Sequence, residues 1–193
     1  MTNFNTNAQR EAVLKAKKNG VVGPNSKLMR DYRNSLPELD SFQLSICIGL
    51  LLGDASLEKG RQNTHRLKFE WSEKHLEYAR SVYRALGLYC LAEPQLQTRK
   101  NHLGSTVNTY WFKTVTVPAF NILGQMFLYG ERSKNLNIEM LAKLIDPVSL
   151  AYWYIDDGHK GDKGRYGLYL NTYPINGVIH WRWSSSSLHY SKG

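Results

Sequence analysis

The chain has 193 residues, of which 42% are hydrophobic, and a formal net charge of +9 with an isoelectric point near 9.5. This length suits one ordinary domain or two small fused halves. The positive charge favours a protein that binds a polyanion, with nucleic acid as the first candidate, over a basic globular protein without such a partner. Two cysteines, Cys47 and Cys90, exclude a disulfide framework and favour a reducing compartment.

Residues 1–40 form a basic leader in which no secretory signal is expected, because it has no apolar core. Residues 8–18 predict a helix that ends at Asn19-Gly20, and Gly23-Pro24-Asn25 predicts a turn. Two interpretations stay open for the leader: contact with nucleic-acid phosphates, or a solvated and partly disordered arm. Its further positive charges are Lys27, Arg30 and Arg33.

The apolar segment from Ser45 to Asp54, SICIGLLLGD, predicts a buried helix, because ten residues are too few to cross a bilayer. Asp40 or Ser41 is its predicted N-cap. Gly49 and Gly53 are four residues apart and share one face, which indicates that another helix backbone packs close against them. Asp54 falls at the C-terminus, where the helix dipole disfavours an anion, so its carboxylate suggests a bound cation.

A related segment, Ser149 to Gly158 or SLAYWYIDDG, ends on Asp156 and Asp157. Two apolar helices that end on acid indicate a duplicated unit. If the two helices pack together, Asp54 and Asp157 meet at one end of the pair, where they repel unless they are protonated or bridged by metal. A hard divalent ion with oxygen ligands, such as Mg²⁺, fits such a pair.

The two segments resemble the paired motifs of the LAGLIDADG homing endonucleases. Cys47 to Ala55, CIGLLLGDA, is similar to the first motif, and Leu150 to Gly158, LAYWYIDDG, to the second. Ala55 stands where the family usually has Gly, and the second motif has bulky Tyr152 and Trp153 where small residues are common. The resemblance implies an α+β fold of two αββαββα-type halves, with the motif helices paired at a pseudo-twofold axis and antiparallel sheets that bind DNA.

The resemblance also implies that Asp54 and Asp157 are catalytic and hold Mg²⁺, together with the backbone carbonyls of Gly53 and Asp156. In related proteins a lysine in the corresponding basic loop, GERSKNLN here, lies beside the active site. Lys134 is the candidate, against the simpler interpretation of a solvent-exposed lysine in a turn. The implied reaction is hydrolysis of DNA phosphodiester bonds, in which each ion can activate water and stabilise the leaving 3′ oxygen.

Between the motifs, Glu58–Asn63 predicts a loop, and His65–Ser72 predicts a half-buried strand because HRLKFEWS alternates between apolar and polar residues. Glu73–Leu88 predicts an amphipathic helix that ends at Gly87. Residues 89–117 predict two or three strands with a turn at Asn101–Ser105. Two further helices are predicted at Pro118–Tyr129 and Ile138–Ile145.

The polar face of the His65–Ser72 strand, taken alone, fits an ordinary solvated sheet face. The resemblance favours a DNA-contacting face, since the family reads DNA with saddle-shaped antiparallel sheets, and Arg or Lys side chains can read guanine edges in the major groove. The predicted DNA-binding residues are Arg66, Lys68, Glu70, Gln97, Arg99, Lys100, Asn108, Lys113 and Arg165.

After Gly158 the pattern starts again, with a loop at His159–Arg165 and a strand at Tyr166–Asn171. From Tyr173 onward no helical period appears, and a Trp-Arg-Trp segment followed by four serines reads as a frameshifted or unrelated tail. We therefore expect a first LAGLIDADG half at residues 41–147 and an incomplete second half at residues 148–193.

The sequence thus predicts an intron-encoded enzyme that makes a metal-dependent double-strand cut in a specific DNA site. We expect a monomer, unless truncation forces dimerisation, without membrane contact and located in the mitochondrion or, alternatively, the chloroplast. Two other interpretations stay open: an RNA maturase that binds a group I intron and assists its splicing, and an inactive truncated copy. The sequence contains no G-x-x-x-x-G-K loop, Cys/His zinc spacing or G-x-S-x-G turn.

Overall fold

The structure is a computed structural model of the chain. It describes residues 3–61, 64–100, 102–127, 136–160, 166–168, 179–184 and 187–192, with side chains described between residues 6 and 158. The chain divides into two compact units. The first comprises residues 1–39 and 56–121, and the second comprises residues 40–55 and 122–193.

The described elements mix helices with antiparallel strands, so the predicted α+β class is confirmed. In chain order they are α1 (Asn3–Lys18), α2 (Lys27–Ser35), α3 (Ser41–Leu52), β1 (Ser56–Lys59), β2 (His65–Ser72), α4 (Leu76–Leu86), β3 (Gln95–Lys100), β4 (Thr106–Lys113), α5 (Asn121–Phe127), α6 (Ile138–Leu144), α7 (Pro147–Asp157), β5 (Gly158–Lys160), β6 (Tyr166–Leu168), β7 (Ile179–Ser184) and β8 (Ser187–Lys192). Short 3₁₀ turns at Glu73–His75, Gly87–Tyr89 and Pro118–Phe120 flank three of them.

The leader is folded, so its interpretation as a partly disordered arm is wrong. The Thr6 hydroxyl donates a hydrogen bond to the Ser35 carbonyl at 2.8 Å. Arg10 Nη2 donates to the Cys90 carbonyl at 3.1 Å and lies 3.2 Å from the Tyr83 hydroxyl. These contacts bind α1 to α2 and to the segment that follows α4, and the buried apolar side chains among the described leader residues are Val13, Met29 and Tyr32.

Helix α2 was not predicted, although the sequence carries its start signal. The Ser26 side chain accepts a hydrogen bond from the Met29 amide at 3.3 Å and caps the helix. Met29 and Tyr32 are three residues apart and form its buried face. The segment has few apolar residues among its charged ones, too few to show a helical period in the sequence.

The first unit contains a four-stranded antiparallel sheet with strand order β1-β2-β4-β3. Strand β2 has the predicted bounds and alternation, with Leu67, Phe69 and Trp71 buried. The predicted loop at Glu58–Asn63 is wrong at Glu58 and Lys59, which belong to β1, while residues 62 and 63 lie outside the described part. Strand β1 forms because it pairs with β2 in antiparallel register. Its own four residues have mixed polarity and no strand pattern, so the sequence did not predict it.

Helix α4 covers the apolar side of this sheet. It buries Ala79, Val82 and Leu86 on one face, as expected of an amphipathic helix, and it begins at Leu76, not at the predicted Glu73, because Glu73–His75 form a 3₁₀ turn. Gly87 ends it with φ of +42°, a conformation that favours glycine. Under it, the rings of Phe69 and Phe112 lie 4.8 Å apart between centroids. The α4 stripe and the apolar face of the sheet thus form one aromatic core, and the opposite face of the sheet is polar.

The second unit contains α3 and α7, with α6 between them in sequence. Strand β5 pairs with β6, and β7 pairs with β8, both antiparallel. The predicted loop at residues 159–165 is wrong at His159 and Lys160, which lie in β5, and the segment interpreted as an unrelated tail contains the β7–β8 hairpin. Residues 128–129, 161–165 and 169–178 of the predicted elements lie outside the described residues. Among the described residues, no helix is long and apolar enough to span a membrane.

Candidate functional site

Helices α3 and α7 pack side by side and run in the same direction. Ser45 near the start of α3 contacts Asp146 at the start of α7. Gly49 lies against Ser149 and Tyr152 one turn further on, and Gly53 at the end of α3 lies against Asp156. Because these contacts advance together along both helices, the two C-terminal ends lie next to each other.

The close approach predicted for Gly49 is confirmed. A Cβ atom on Gly49 would lie 2.3 Å from the Ser149 carbonyl oxygen and 2.7 Å from the Tyr152 Cβ. Distances this short are not tolerated by real Cβ atoms, so only glycine lets the two backbones meet here. Helix α3 is buried on all sides from Ser45 to Leu52, including Cys47, as expected of a core helix.

At the N-terminal end of the pair, Asp146 joins the two helices. Its Oδ1 accepts hydrogen bonds at 2.8 Å from both the amide and the hydroxyl of Ser149, so Asp146 is the N-cap of α7. Its Oδ2 accepts a hydrogen bond at 2.7 Å from the Ser45 hydroxyl on α3. Burial raises the pKa of Asp146, but these hydrogen bonds outweigh it and hold the pKa below its usual value. The sequence signal for the cap is an Asp before Pro147 with Ser three residues later.

At the C-terminal end, the Asp156 side chain supports the chain around Asp54. Asp156 Oδ2 accepts a hydrogen bond from the Asp54 backbone amide at 3.3 Å. A Cβ on Gly53 would lie 2.6 Å from the Asp156 Cβ, so glycine at 53 makes room for this carboxylate. Sequence reasoning assigned only the backbone carbonyl of Asp156 a role and missed this contact of its side chain.

Asp54 and Asp157 occupy the same end of the helix pair. Asp54 is exposed and Asp157 is half-buried. Burial, together with the negative charge of Asp54, raises the pKa of Asp157. The two carboxylates therefore repel each other, and a cation between them would relieve that repulsion.

The donor atoms at this end suit a hard divalent cation. Carboxylate and carbonyl oxygens are the ligands that Mg²⁺ and similar ions take. In the part of the chain that the structure describes, no three His, Cys, Asp or Glu side chains converge on one point. A bound ion would therefore draw on Asp54, Asp157, backbone carbonyls and oxygens from outside the protein.

The polar face of the sheet carries most of the predicted DNA-binding residues. Strand register places six of them on this face: Arg66, Lys68, Glu70, Gln97, Arg99 and Lys113. Glu70 accepts from Thr109 at 3.0 Å and forms ion pairs with Arg99 at 2.5 Å and Lys68 at 3.3 Å. Lys113 lies 5.7 Å from the centroid of the Trp111 ring.

Two predicted DNA-binding residues, Lys100 and Asn108, lie on the opposite face of the sheet, so the predicted set does not form one surface. Asn108 donates to Glu73 at 2.9 Å and bonds to Thr98 at 2.8 Å. The alternation in β3 and β4 is too imperfect to assign faces, which is why the sequence did not separate these residues. Lys134 and Arg165 lie outside the described residues.

Comparison with known proteins gives a family match over most of the chain. The sequence profile described as the LAGLIDADG DNA endonuclease family matches residues 44–178. A "Probable intron-encoded endonuclease 1" of Wickerhamomyces canadensis is 38% identical over 142 residues, which cover 73% of this chain and 60% of that protein. A "Cytochrome b mRNA maturase bI2" of Debaryomyces hansenii is 33% identical over 154 residues, covering 77% of this chain and 57% of that protein.

A solved structure, the homing endonuclease I-WcaI bound to its DNA recognition sequence, superimposes with a TM-score of 0.70. It is 29% identical, and the match covers 86% of this chain and 82% of the other. The match spans about 60% of the length of each of these two curated relatives.

Proposed function

Because the chain belongs to the LAGLIDADG DNA endonuclease family, we propose that it is an intron-encoded homing endonuclease that makes a metal-dependent double-strand cut at a specific DNA site. The observation that carries the proposal is the acid pair: α3 and α7 run parallel, and Asp54 lies close enough to Asp157 to raise its pKa. Each helix supplies one carboxylate, which suits one cut in each strand.

The acid pair is the proposed site of a divalent ion, and Mg²⁺ fits its oxygen donors. Asp54 and Asp157 hold the ion with the carbonyls of Gly53 and Asp156, and the Asp156 carboxylate fixes the Asp54 backbone through its amide. A bound ion supplies Lewis-acid stabilisation of the phosphate and a more acidic water. Lys134 is proposed to stabilise the charge that develops on the scissile phosphate.

The polar face of the sheet is the proposed DNA surface of the first unit. Its four cations are Arg66, Lys68, Arg99 and Lys113, and three of these side chains form ion pairs with Glu58 or Glu70. Arginine and lysine side chains can contact phosphates and base edges. Asn108, Lys100 and Arg165 remain candidates for contacts outside this surface.

We place the protein in the mitochondrion, with the chloroplast as the alternative, and expect it to act as a monomer. Two yeast relatives whose names are cytochrome b mRNA maturases support an organelle origin. The monomer is supported by the presence of both motif helices, and hence both carboxylates, in one chain.

A second function, assistance to group I intron splicing, is favoured by the same two relatives, which are 33% and 31% identical. Such a maturase would bind intron RNA and would not need the acid pair. A splicing assay with the host intron transcript distinguishes the two, because Asp54→Asn would leave splicing assistance intact and stop DNA cleavage.

The proposal is tested by selection of cleaved molecules from a library of randomised duplex sites, with Mg²⁺ and with EDTA. We expect one recovered sequence family, cut in both strands, only with the metal. Recovery of the same products in EDTA would contradict the metal role. A folded preparation that cuts nothing in Mg²⁺ or Mn²⁺ would contradict the endonuclease.

A further inference from the structure

The first unit contains a cavity of about 450 Å³ that lies outside the acid pair. Its walls come from the leader, from the segment that precedes β3, and from β4 and the residues after it. We call it the leader cavity. Its size falls within the range of small-molecule sites, which is roughly 300 to 1,000 Å³, and is larger than a lone phosphate needs.

Positive charge dominates the walls of the leader cavity. Among the described residues, its cations are Lys17, Arg33, Arg66 and Lys113, and its acidic wall residue is Glu93. Lys17 and Lys113 are exposed, whereas Arg66 is already paired with Glu58 at 2.5 Å. The cavity therefore has an excess of cationic groups that face an anion-sized space.

Arg33 is the least satisfied of these cations. Its Nε is buried and has no hydrogen-bond partner among the described residues. Burial lowers the pKa of this guanidinium, which shows that its charge is costly where it stands. An unpaired buried donor on a charged group is unfavourable. The residue also lines the cavity, so an anion there would compensate the charge of the guanidinium.

The remaining wall of the cavity is apolar and aromatic. Trp111 lines it, together with the buried side chains of Met29, Leu91 and Phe112. A bare phosphate would leave this wall unused, and an apolar ligand would leave the cations unpaired. Aromatic side chains stack on nucleic-acid bases that are not paired, so a ligand with an anionic group and a planar ring matches both walls.

We propose that the leader cavity binds one unstacked nucleotide of a single-stranded nucleic acid, with the phosphate at Arg33 and Lys17 and the base against Trp111. This site goes beyond the proposed cleavage of duplex DNA and uses no residue of the acid pair. Two wall residues, Arg66 and Lys113, also belong to the proposed DNA surface, so the test substitutes only Arg33 and Lys17, which lie outside that surface and outside the acid pair.

The test measures binding of a fluorescein-labelled hexanucleotide by anisotropy. Arg33→Gln is compared with Arg30→Gln, which removes an equal charge from an exposed residue of the same helix whose side chain donates to the Asn25 carbonyl. Lys17→Gln is compared with Lys18→Gln. Since Lys17 is exposed, its variant keeps the test valid even if Arg33→Gln does not fold.

We expect about tenfold weaker binding for Arg33→Gln, a clear loss for Lys17→Gln, and changes within about twofold for the two controls. A hexanucleotide with abasic residues should bind the parent protein about fivefold or more weakly, since each stacked base contributes. Equal losses in the cavity variants and their controls, or equal binding of the abasic strand, would overturn the site.

Three further ligands identify the source of the nucleotide. DNA and RNA hexamers of one sequence show which strand is preferred, and a nucleoside monophosphate that competes with either would indicate a free nucleotide. Competition by inorganic phosphate as effective as that by the monophosphate would overturn the role of the base and with it the proposal.

Discussion

Ser45 and Asp146 connect the starts of the two motif helices: the Ser45 hydroxyl donates a 2.7 Å hydrogen bond to the carboxylate that caps α7. One carboxylate thus serves as a helix cap and as a contact between helices. This contact lies at the opposite end of the helix pair from Asp54 and Asp157, so its strength can be altered without a change in the acids themselves.

We expect Asp146→Ala to destabilise the protein by about 1 to 3 kcal/mol, because it removes both a helix cap and a part-buried hydrogen bond to Ser45. Asp146→Asn should lose less, since Asn also caps helices. The pKa of Asp146 is lowered in the folded protein, so its stabilising contribution is full above the usual Asp pKa of about 4 and disappears as the pH falls through the lower folded value. Urea unfolding at pH 7 and at pH 3 should therefore show that the free energy of unfolding falls less in Asp146→Asn than in the parent protein. An identical fall in both would count against this assignment.

Gly49→Ala should destabilise the helix pair by roughly 1 to 3 kcal/mol, because the added Cβ would meet the Ser149 carbonyl at 2.3 Å. Gly23→Ala is the matched control, since a Cβ at Gly23 meets nothing within 4 Å, and its effect should stay within about 0.5 kcal/mol. Thermal unfolding followed by circular dichroism gives both values. Equal stabilities for the two variants would show that the helices separate readily at this point.

Asp54→Asn and Asp157→Asn should each slow cleavage of the selected DNA site by about 100-fold or more, because each removes a charged ligand needed as charge develops on the phosphate. DNA binding should change little. Asp31→Asn, at an exposed carboxylate of α2 that pairs with Lys27, is the control and should cut normally. Gel assays of cleavage and binding provide both readouts, and wild-type cutting by Asp54→Asn would refute the acid pair.

The raised pKa of Asp157 should respond to Asp54 and to metal. In metal-free buffer, Asp54→Asn should lower this pKa, because part of the shift comes from the Asp54 charge. A raised folded pKa means that Asp157 stabilises the fold while protonated and that this contribution falls as the pH rises through the folded value. Mg²⁺ should lower the pKa in the parent protein, which carboxyl-carbon NMR titration would detect. No response to Mg²⁺ would place the ion elsewhere.

Arg99 and Lys100 are neighbours on β3 whose side chains lie on opposite faces of the sheet. Arg99→Gln should weaken binding of the selected DNA site about fivefold or more. It should also make the slope of log affinity against log salt concentration shallower by about one, the value for one lost phosphate contact. Lys100→Gln removes the same charge from the other face and should have little effect. Filter binding over a range of salt concentrations separates them, and equal losses would show that binding depends on net charge alone.

Elements with a strong local pattern could be predicted from the sequence. Strand β2 has the expected bounds because its buried and exposed residues alternate throughout. Helix α4 has the expected C-terminal end because its buried positions follow a helical period up to Gly87, whereas its predicted start at Glu73 belongs to a 3₁₀ turn. Strand β1 could not be predicted in the same way, since its pairing partner, not its four residues, makes it a strand.

At the candidate functional site, too, features with a local sequence pattern could be predicted, and features that depend on distant residues could not. The four-residue spacing of Gly49 and Gly53 is a local pattern, and it suffices to indicate a close helix partner. The side-chain roles of Asp146 and Asp156 did not emerge, because each acts on a residue about one hundred positions away in the sequence. Likewise, the faces of Lys100 and Asn108 follow from strand register, which pairing determines.

The contact between α3 and α7 is asymmetric. Both glycines at the contact, Gly49 and Gly53, belong to α3, and the larger residues set over them, Tyr152 and Asp156, belong to α7. Two copies of α3 would leave gaps along their interface, and two copies of α7 would collide. Pairing between two copies through identical helices is thereby disfavoured. A chimera with a half from another protein would need glycines on one motif helix and matching larger residues on the other.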